Sequence, residues 1–352
     1  MTVADNVPAP RRLLLVSVPR TASNLFLKIL NIQNQPNLLT SQKGGYFFYP
    51  AFMKVTHEGY LAKRPEDWSD ADIEAVQGAF QSCTDDLEEH GARAREEGKM
   101  LFTKEHAFWF ASPAIDQSAI AGRDALELSK KLRISTPAYG SDQSFSPSNK
   151  TILSDEYLRS WQMAFIIRHP ALAWPSMYRA MKKIAAEGFI DEDGLQGASR
   201  TNMDLRYSRM LYDWCLEQPD VPTPPPVIDA HDLITTPQVV LKFCEQTGLD
   251  KSVVQFEWDQ NDATKSKNLA PADPNANTAE HDRQKRSASI MLSSLLGSKG
   301  VIKDKAPANL DIAAEAAKWK VEFGEEAAQM LEKAVWDSMP DYEYLKSKRI
   351  TA

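Results

Sequence analysis

The chain has 352 residues, a formal net charge of −7 and 43% hydrophobic residues, enough for one large α/β domain or two smaller ones around a substantial core. The acidic balance argues against a protein whose main work is coating nucleic acid, so an anionic ligand would need a local basic pocket. Three cysteines, Cys83, Cys215 and Cys244, show no metal-ligand spacing and no even-numbered framework, which fits reduced thiols in a cytoplasmic protein.

Leu13 to Val18 is a short, continuously apolar run. The polar loop Pro19-Arg20-Thr21-Ala22-Ser23-Asn24 follows, and then Phe26, Leu27 and Leu30 at helical spacing. That order predicts a buried strand over 13–18, a turn and a helix. The strand is too short for a signal core or a membrane span and no long apolar span is visible, so a cytoplasmic location without a membrane partner is the default expectation. The loop sits at a helix N-terminus, where backbone N–H groups and the side chains of Arg20, Thr21, Ser23 and Asn24 can hold a phosphate or sulfate. It lacks G-x-x-x-x-G-K-[ST], and with it the glycine cradle and lysine of an ATPase or GTPase. An ordinary strand-to-helix turn that binds nothing is the plain alternative.

Gly44 to Met53 is dense in aromatic residues, Phe48 and Tyr49 among them. Beyond it, Met100-Leu-Phe-Thr-Lys104-Glu105-His106 reads as extended chain, in which alternate residues face one way. Lys104 and His106 then share one side and Glu105 takes the other. A histidine there can take a proton from an attacking hydroxyl while the lysine neutralises charge on the transferred group. A lone structural histidine is the competing explanation. Phe108 and Phe110 stand directly past His106. Aromatic walls suit a flat phenolic or polyketide-like acceptor, and core packing is the other use of all four rings.

Ala164 to Ile167 is a further short apolar run, leading into Arg168-His169-Pro170 and a helical pattern containing Ser176. Pro170 disfavours helix at the residue before it, so the strand ends at Arg168 or His169. An arginine at a strand end and a serine eight positions on, in the first turn of the next helix, can converge on one phosphate; a surface ion pair and a helix cap explain them otherwise. Pro222 to Pro226 is too short for a linker and precedes another strand. Residues 259–288 are polar and read as a surface loop or flexible lid.

Taken together, these segments resemble the cytosolic-type sulfotransferases that use 3′-phosphoadenosine 5′-phosphosulfate. Pro19-Arg20-Thr21-Ala22-Ser23-Asn24 lies over that family's Pro-Lys-Ser-Gly-Thr-Thr-like loop, Lys104 and His106 match its Lys-x-His, and Arg168 and Ser176 match its arginine and serine. Val227-Ile-Asp-Ala-His-Asp232-Leu233 and Trp319-Lys320-Val-Glu-Phe323 resemble two further elements, so the likeness spans roughly residues 12–345. The resemblance implies a P-loop-like α/β architecture, a mainly parallel central sheet flanked by helices, over a single domain of residues 1–352 with an acceptor-side insertion around 36–100. It implies that Arg20, Thr21, Ala22, Ser23 and Asn24 hold the 5′-phosphosulfate and that Arg168 and Ser176 hold the 3′-phosphate. His106 is the expected base, with Lys104 and Arg20 stabilising charge. No metal is expected. The expected acceptor is a small-molecule hydroxyl compound of the secondary-metabolite kind, contacted by Phe108, Phe110, Phe48 and Tyr49, and a homodimer is compatible with the family.

Departures from the pattern suggest a divergent branch, fungal or bacterial rather than animal. Arg20 replaces a lysine with a planar fork. Ala22 replaces a glycine where a positive φ would be strained. Ala230 stands where many relatives have an aromatic near the adenine. The basic clamp has only surface-like candidates, Arg283, Lys285 and Arg286 or Lys299 and Gly300. Two rivals stay open on these residues: a non-catalytic nucleotide-binding or interaction protein on the same fold, and a nucleotide-dependent phosphotransferase, which should show a magnesium-binding carboxylate and a glycine-rich loop.

Overall fold

Short runs of Leu, Val, Ile, Phe and Met bounded by loops become the strands of one sheet in the computed structural model. It describes residues 11–352 except 42–44, 116–117, 192–193, 196, 198–200, 220–222, 259–277, 304–306 and 308. The strands are β1 (Arg12–Ser17), β2 (Leu38–Thr40), β3 (Met100–His106), β4 (Gln162–Ile167) and β5 (Val227–Asp229). They lie in the order β2-β3-β1-β4-β5, and each neighbouring pair is parallel.

The helices are α1 (Ser23–Ile29), α2 (Tyr49–His57), α3 (Asp70–Glu96), α4 (Ser118–Lys131), α5 (Asp155–Arg159) and α6 (Pro170–Ala186), followed by α7 (Arg206–Glu217), α8 (Ala230–Thr235) and α9 (Gln238–Thr247). Three more follow: α10 (Thr278–Leu296), α11 (Ile312–Phe323) and α12 (Glu325–Ser347). A parallel sheet needs cover on both faces, which is why its strands read as continuous apolar runs. On β1, Leu14 and Val16 enter a larger core cluster with Phe80, Trp174, Trp214 and Leu331, whereas Leu13 and Leu15 enter a second one with Phe26 and Phe243.

Two expectations are corrected by this architecture. Residues 36–100 are not only an acceptor-side insertion: β2 is an edge strand of the central sheet, and α3 is the crossover carrying the chain from β2 to β3. The helix starts with a capping box between Ser69 and Asp72 and buries Ile73, Val76, Phe80, Cys83, Leu87, Gly91 and Ala94 at three- to four-residue intervals. Of the loop expected over 259–288, residues 259–277 lie outside the described residues, and from Thr278 onward the chain is helical. Polar composition concealed that helix, which presents a narrow apolar stripe through Met291, Leu292 and Leu295.

The register places the site. Ser17 pairs with His106, Leu15 with Lys104 and Val16 with both Glu105 and Phe165. The carboxyl ends of β1, β3 and β4 therefore open at one level. Because β3 and β4 flank β1 on opposite sides, the end of β1 is the switch point at which parallel sheets form a crevice. Among the described residues no helix is long and apolar enough to cross a membrane, and the three cysteines are buried and unlinked.

Candidate functional site

The loop from Val18 to Ala22 turns the chain out of β1 by placing two non-glycine residues in the left-handed region, Arg20 at φ 68° and Ala22 at φ 65°. Thr21 holds that turn from inside: its Oγ1 donates to the Val18 carbonyl at 2.7 Å and its side chain is buried. No side-chain hydrogen bond caps α1. Arg20 leaves the loop toward α6, where its Nε donates to Ser176 Oγ at 3.0 Å, and its guanidinium also reaches the Met291 carbonyl of α10. Arg168, at the end of β4, donates to the Arg20 carbonyl at 3.1 Å. The fold thus brings together Arg20, Arg168 and Ser176, with Ser176 in the second turn of α6 rather than the first.

These residues, with Ala22, Ser23 and Asn24, line a cavity of about 600 Å³ whose far wall comes from α10 and α11. Burial lowers the pKa of Arg20, and the charge of Arg179 adds to the effect. Burial and then the charge of Arg20 bring Arg168 down to about 10, with Asp229 opposing. Among the described residues no carboxylate pairs with Arg20. Two largely desolvated, mutually repelling guanidiniums on a cavity wall fit an anion that would relieve both. Of the clamp candidates, Gly300 lines this cavity, whereas Lys285 and Arg286 are exposed on α10 and pair with Asp282 and Glu187.

Lys104 connects the loop to the end of β3. It is fully buried, its Nζ donates to Asn24 Oδ1, and it sits 4.4 Å from the centre of the Tyr46 ring. Burial pulls its pKa down to about 7. His106 lies one alternation further along the strand. Its Nε2 is 3.3 Å from the Tyr46 hydroxyl and its Nδ1 is 2.9 Å from Ser17 Oγ. Burial, followed by the Lys104 charge, holds the imidazole well below its ordinary pKa. Glu105 points to the opposite face, as alternation requires. There its carboxylate accepts the backbone N–H groups of Phe47 and Phe48, and burial raises its pKa to about 8.

The four rings expected at the acceptor divide. Phe108 is parallel to the His106 ring at 6.0 Å, and Tyr49 packs on Trp109, which meets His106 edge-on at 4.4 Å. Phe48 and Phe110 lie with Glu105 on the other face, against each other at 5.7 Å, and fill core rather than flank the histidine. Ser17 and Met291 escaped the sequence reading, and Tyr46 and Trp109 stood within its aromatic stretches without being singled out. Ser17 was legible in principle, because parallel register sets the last residue of β1 beside His106. Tyr46 depends on a tertiary approach, with the Gly45 carbonyl accepting from Lys104 N at 2.9 Å, that no local pattern encodes.

No family model matches the chain. It is 33% identical over 357 residues to the protein named sulfotransferase ppzF of Metarhizium rileyi (strain RCEF 4871), covering 97% of each chain. To sulfotransferase ppzF of Metarhizium majus (strain ARSEF 297) it is 34% identical over 370 residues, covering 99% of this chain and 100% of the other. The sulfotransferase domain from the Synechococcus PCC 7002 olefin synthase aligns over 90% of this chain and 95% of its own, with 13% identity and a TM-score of 0.33, too loose a superposition to bear weight.

Proposed function

The chain belongs to the sulfotransferase family, and we propose that it transfers a sulfuryl group from 3′-phosphoadenosine 5′-phosphosulfate to a small-molecule hydroxyl, a phenol in first place, with His106 as general base. The observation carrying this reading is the convergence of Arg20, Arg168 and Ser176 on one cavity whose loop side, through Asn24, touches Lys104. A donor with a phosphate at each end of its ribose needs two anion sites of this kind.

When bound, the donor supplies an activated sulfuryl group on a phosphate leaving group. Arg168 and Ser176 would hold the 3′-phosphate, while the Arg20 to Asn24 loop would hold the other end. Lys104, poised near neutrality by burial, regains full charge beside an anion and offsets the negative charge that grows as the leaving oxygen departs. His106 is neutral at physiological pH, which is the form a base requires, and Nε2 takes the acceptor's proton as the new oxygen–sulfur bond forms. Phe108 and Trp109 beside the imidazole, and the Tyr46 phenol within reach of Nε2, support an aromatic acceptor.

Calorimetric titration with 3′-phosphoadenosine 5′-phosphate, with ADP and magnesium ATP as controls, tests the donor assignment. Micromolar binding of the bisphosphate alone is expected. Preference for the magnesium nucleotide, or no binding of the bisphosphate, would overturn it.

A further inference from the structure

Ser17 is fully buried at the carboxyl end of β1, in register with His106; its main chain also favours the protonated imidazole, and its side chain makes two hydrogen bonds whose directions can be assigned. Its Oγ lies 3.1 Å from the Glu105 carbonyl oxygen and 2.9 Å from His106 Nδ1. A carbonyl only accepts, so the single hydroxyl proton of Ser17 goes to Glu105. Ser17 Oγ is then left as acceptor, and the proton between it and the imidazole belongs to Nδ1. On the other side, with the proton on Nδ1, Nε2 accepts from the Tyr46 hydroxyl at 3.3 Å. Tyr46, His106, Ser17 and the Glu105 carbonyl then form one chain that runs in a single direction through the Nδ1–H ring.

We infer that Ser17 is a positioning residue that fixes His106 as the Nδ1–H tautomer and so leaves Nε2, the nitrogen facing Tyr46, as the proton-accepting atom. The inference rests on the reading of His106 as the base for its catalytic meaning, but the tautomer is a property of the resting protein. The wrong tautomer would present an N–H to the acceptor hydroxyl and could not take its proton. Nothing in Ser17's position gives it a share in donor binding, since it does not line the cavity.

The experiment is nitrogen NMR of the full chain labelled in its six histidines, with His106 assigned by its loss in His106→Gln, together with steady-state kinetics and bisphosphate titration of Ser17→Ala, Ser17→Thr and Ser17→Cys. The expected result is a single Nδ1–H tautomer in the wild type and a mixed or reversed tautomer in Ser17→Ala. Its kcat should be roughly 10–100-fold lower, the loss typical where the partner orienting a metal-bound imidazole is removed, with bisphosphate affinity unchanged. Ser17→Thr should restore both tautomer and kcat. If Ser17→Ala does not fold, Ser17→Cys, a weaker partner of similar size, carries the comparison. A wild-type proton on Nε2, or an unchanged tautomer in the folded variant, overturns the inference. An Nδ1–H wild type combined with full turnover in His106→Gln would instead sink the base assignment and leave the positioning intact.

Discussion

At the scale of single residues, the candidate site separates proton transfer from anion binding, and the separation can be measured. His106 and Arg168 sit on different strands and do not touch, so their substitutions should fail differently. His106→Ala is expected to lose about 10²–10⁴-fold in turnover, the contribution of a positioned base, with bisphosphate affinity nearly retained. Arg168→Ala should lose about 1.5–3 kcal/mol of bisphosphate affinity, typical of a hydrogen bond to a charged group. Equal calorimetric affinities for wild type and Arg168→Ala would remove the arginine from the site. Lys104 makes a third prediction, with a sign. In the ligand-free protein it loses its proton above about pH 7, and a bound anion raises its pKa, so binding takes up protons above that pH. Bisphosphate affinity should then fall as pH rises from about 7, and heats measured at pH 8, where the phosphates are already fully ionised, in buffers of different ionisation enthalpy should report net proton uptake. No dependence on buffer at pH 8 would place Lys104 away from the anion.

At the scale of elements, the β1–α1 turn holds its geometry against its own sequence. Ala22, at φ 65° and ψ 19°, occupies a conformation that costs an L-residue with a Cβ roughly 1–2 kcal/mol and glycine almost nothing. Ala22→Gly, despite the entropy glycine adds to the unfolded chain, should therefore be neutral or stabilising by up to about 1 kcal/mol, read as the midpoint of denaturant unfolding; a loss of more than that would mean the methyl group packs usefully. The same turn shows where sequence reasoning reached and where it stopped. Both of its strand-and-helix flanks were legible, because an apolar run followed by helical spacing has one reading. The strands carrying Lys104, His106 and Arg168 were legible for the same reason. The direction of Arg20 was not: an expected neighbour of the transferred group, it turns instead to Ser176 and the Met291 carbonyl, a choice made by α10. That helix's polar residues masked its apolar stripe. Phe48 and Phe110 were indistinguishable by type from Phe108; the Glu105 contacts to the Phe47 and Phe48 amides and the helical turn Ala107–Trp109 between β3 and Phe110 set them on the core side.

At the scale of the whole molecule, the cavity draws its walls from positions as far apart as Arg20, Arg168, Met291 and Trp319. Strands β1, β3 and β4, which carry the loop, Lys104 and Arg168, are consecutive in one sheet. A ligand in that cavity therefore touches segments whose separation in sequence is closed only by the complete fold, and it binds nothing in the unfolded chain. Mass action gives about 2.7 kcal/mol of stabilisation when the bisphosphate is present at a hundred times its dissociation constant. At about 2–4 °C per kcal/mol for domains somewhat smaller than this one, the unfolding temperature should rise by roughly 5 °C. If the chain is one cooperative unit, the shift moves a single calorimetric transition as a whole, and Arg168→Ala loses most of it at the same ligand concentration. Two transitions, of which the bisphosphate moves only one, would divide the chain into independently folding parts and confine the site to one of them.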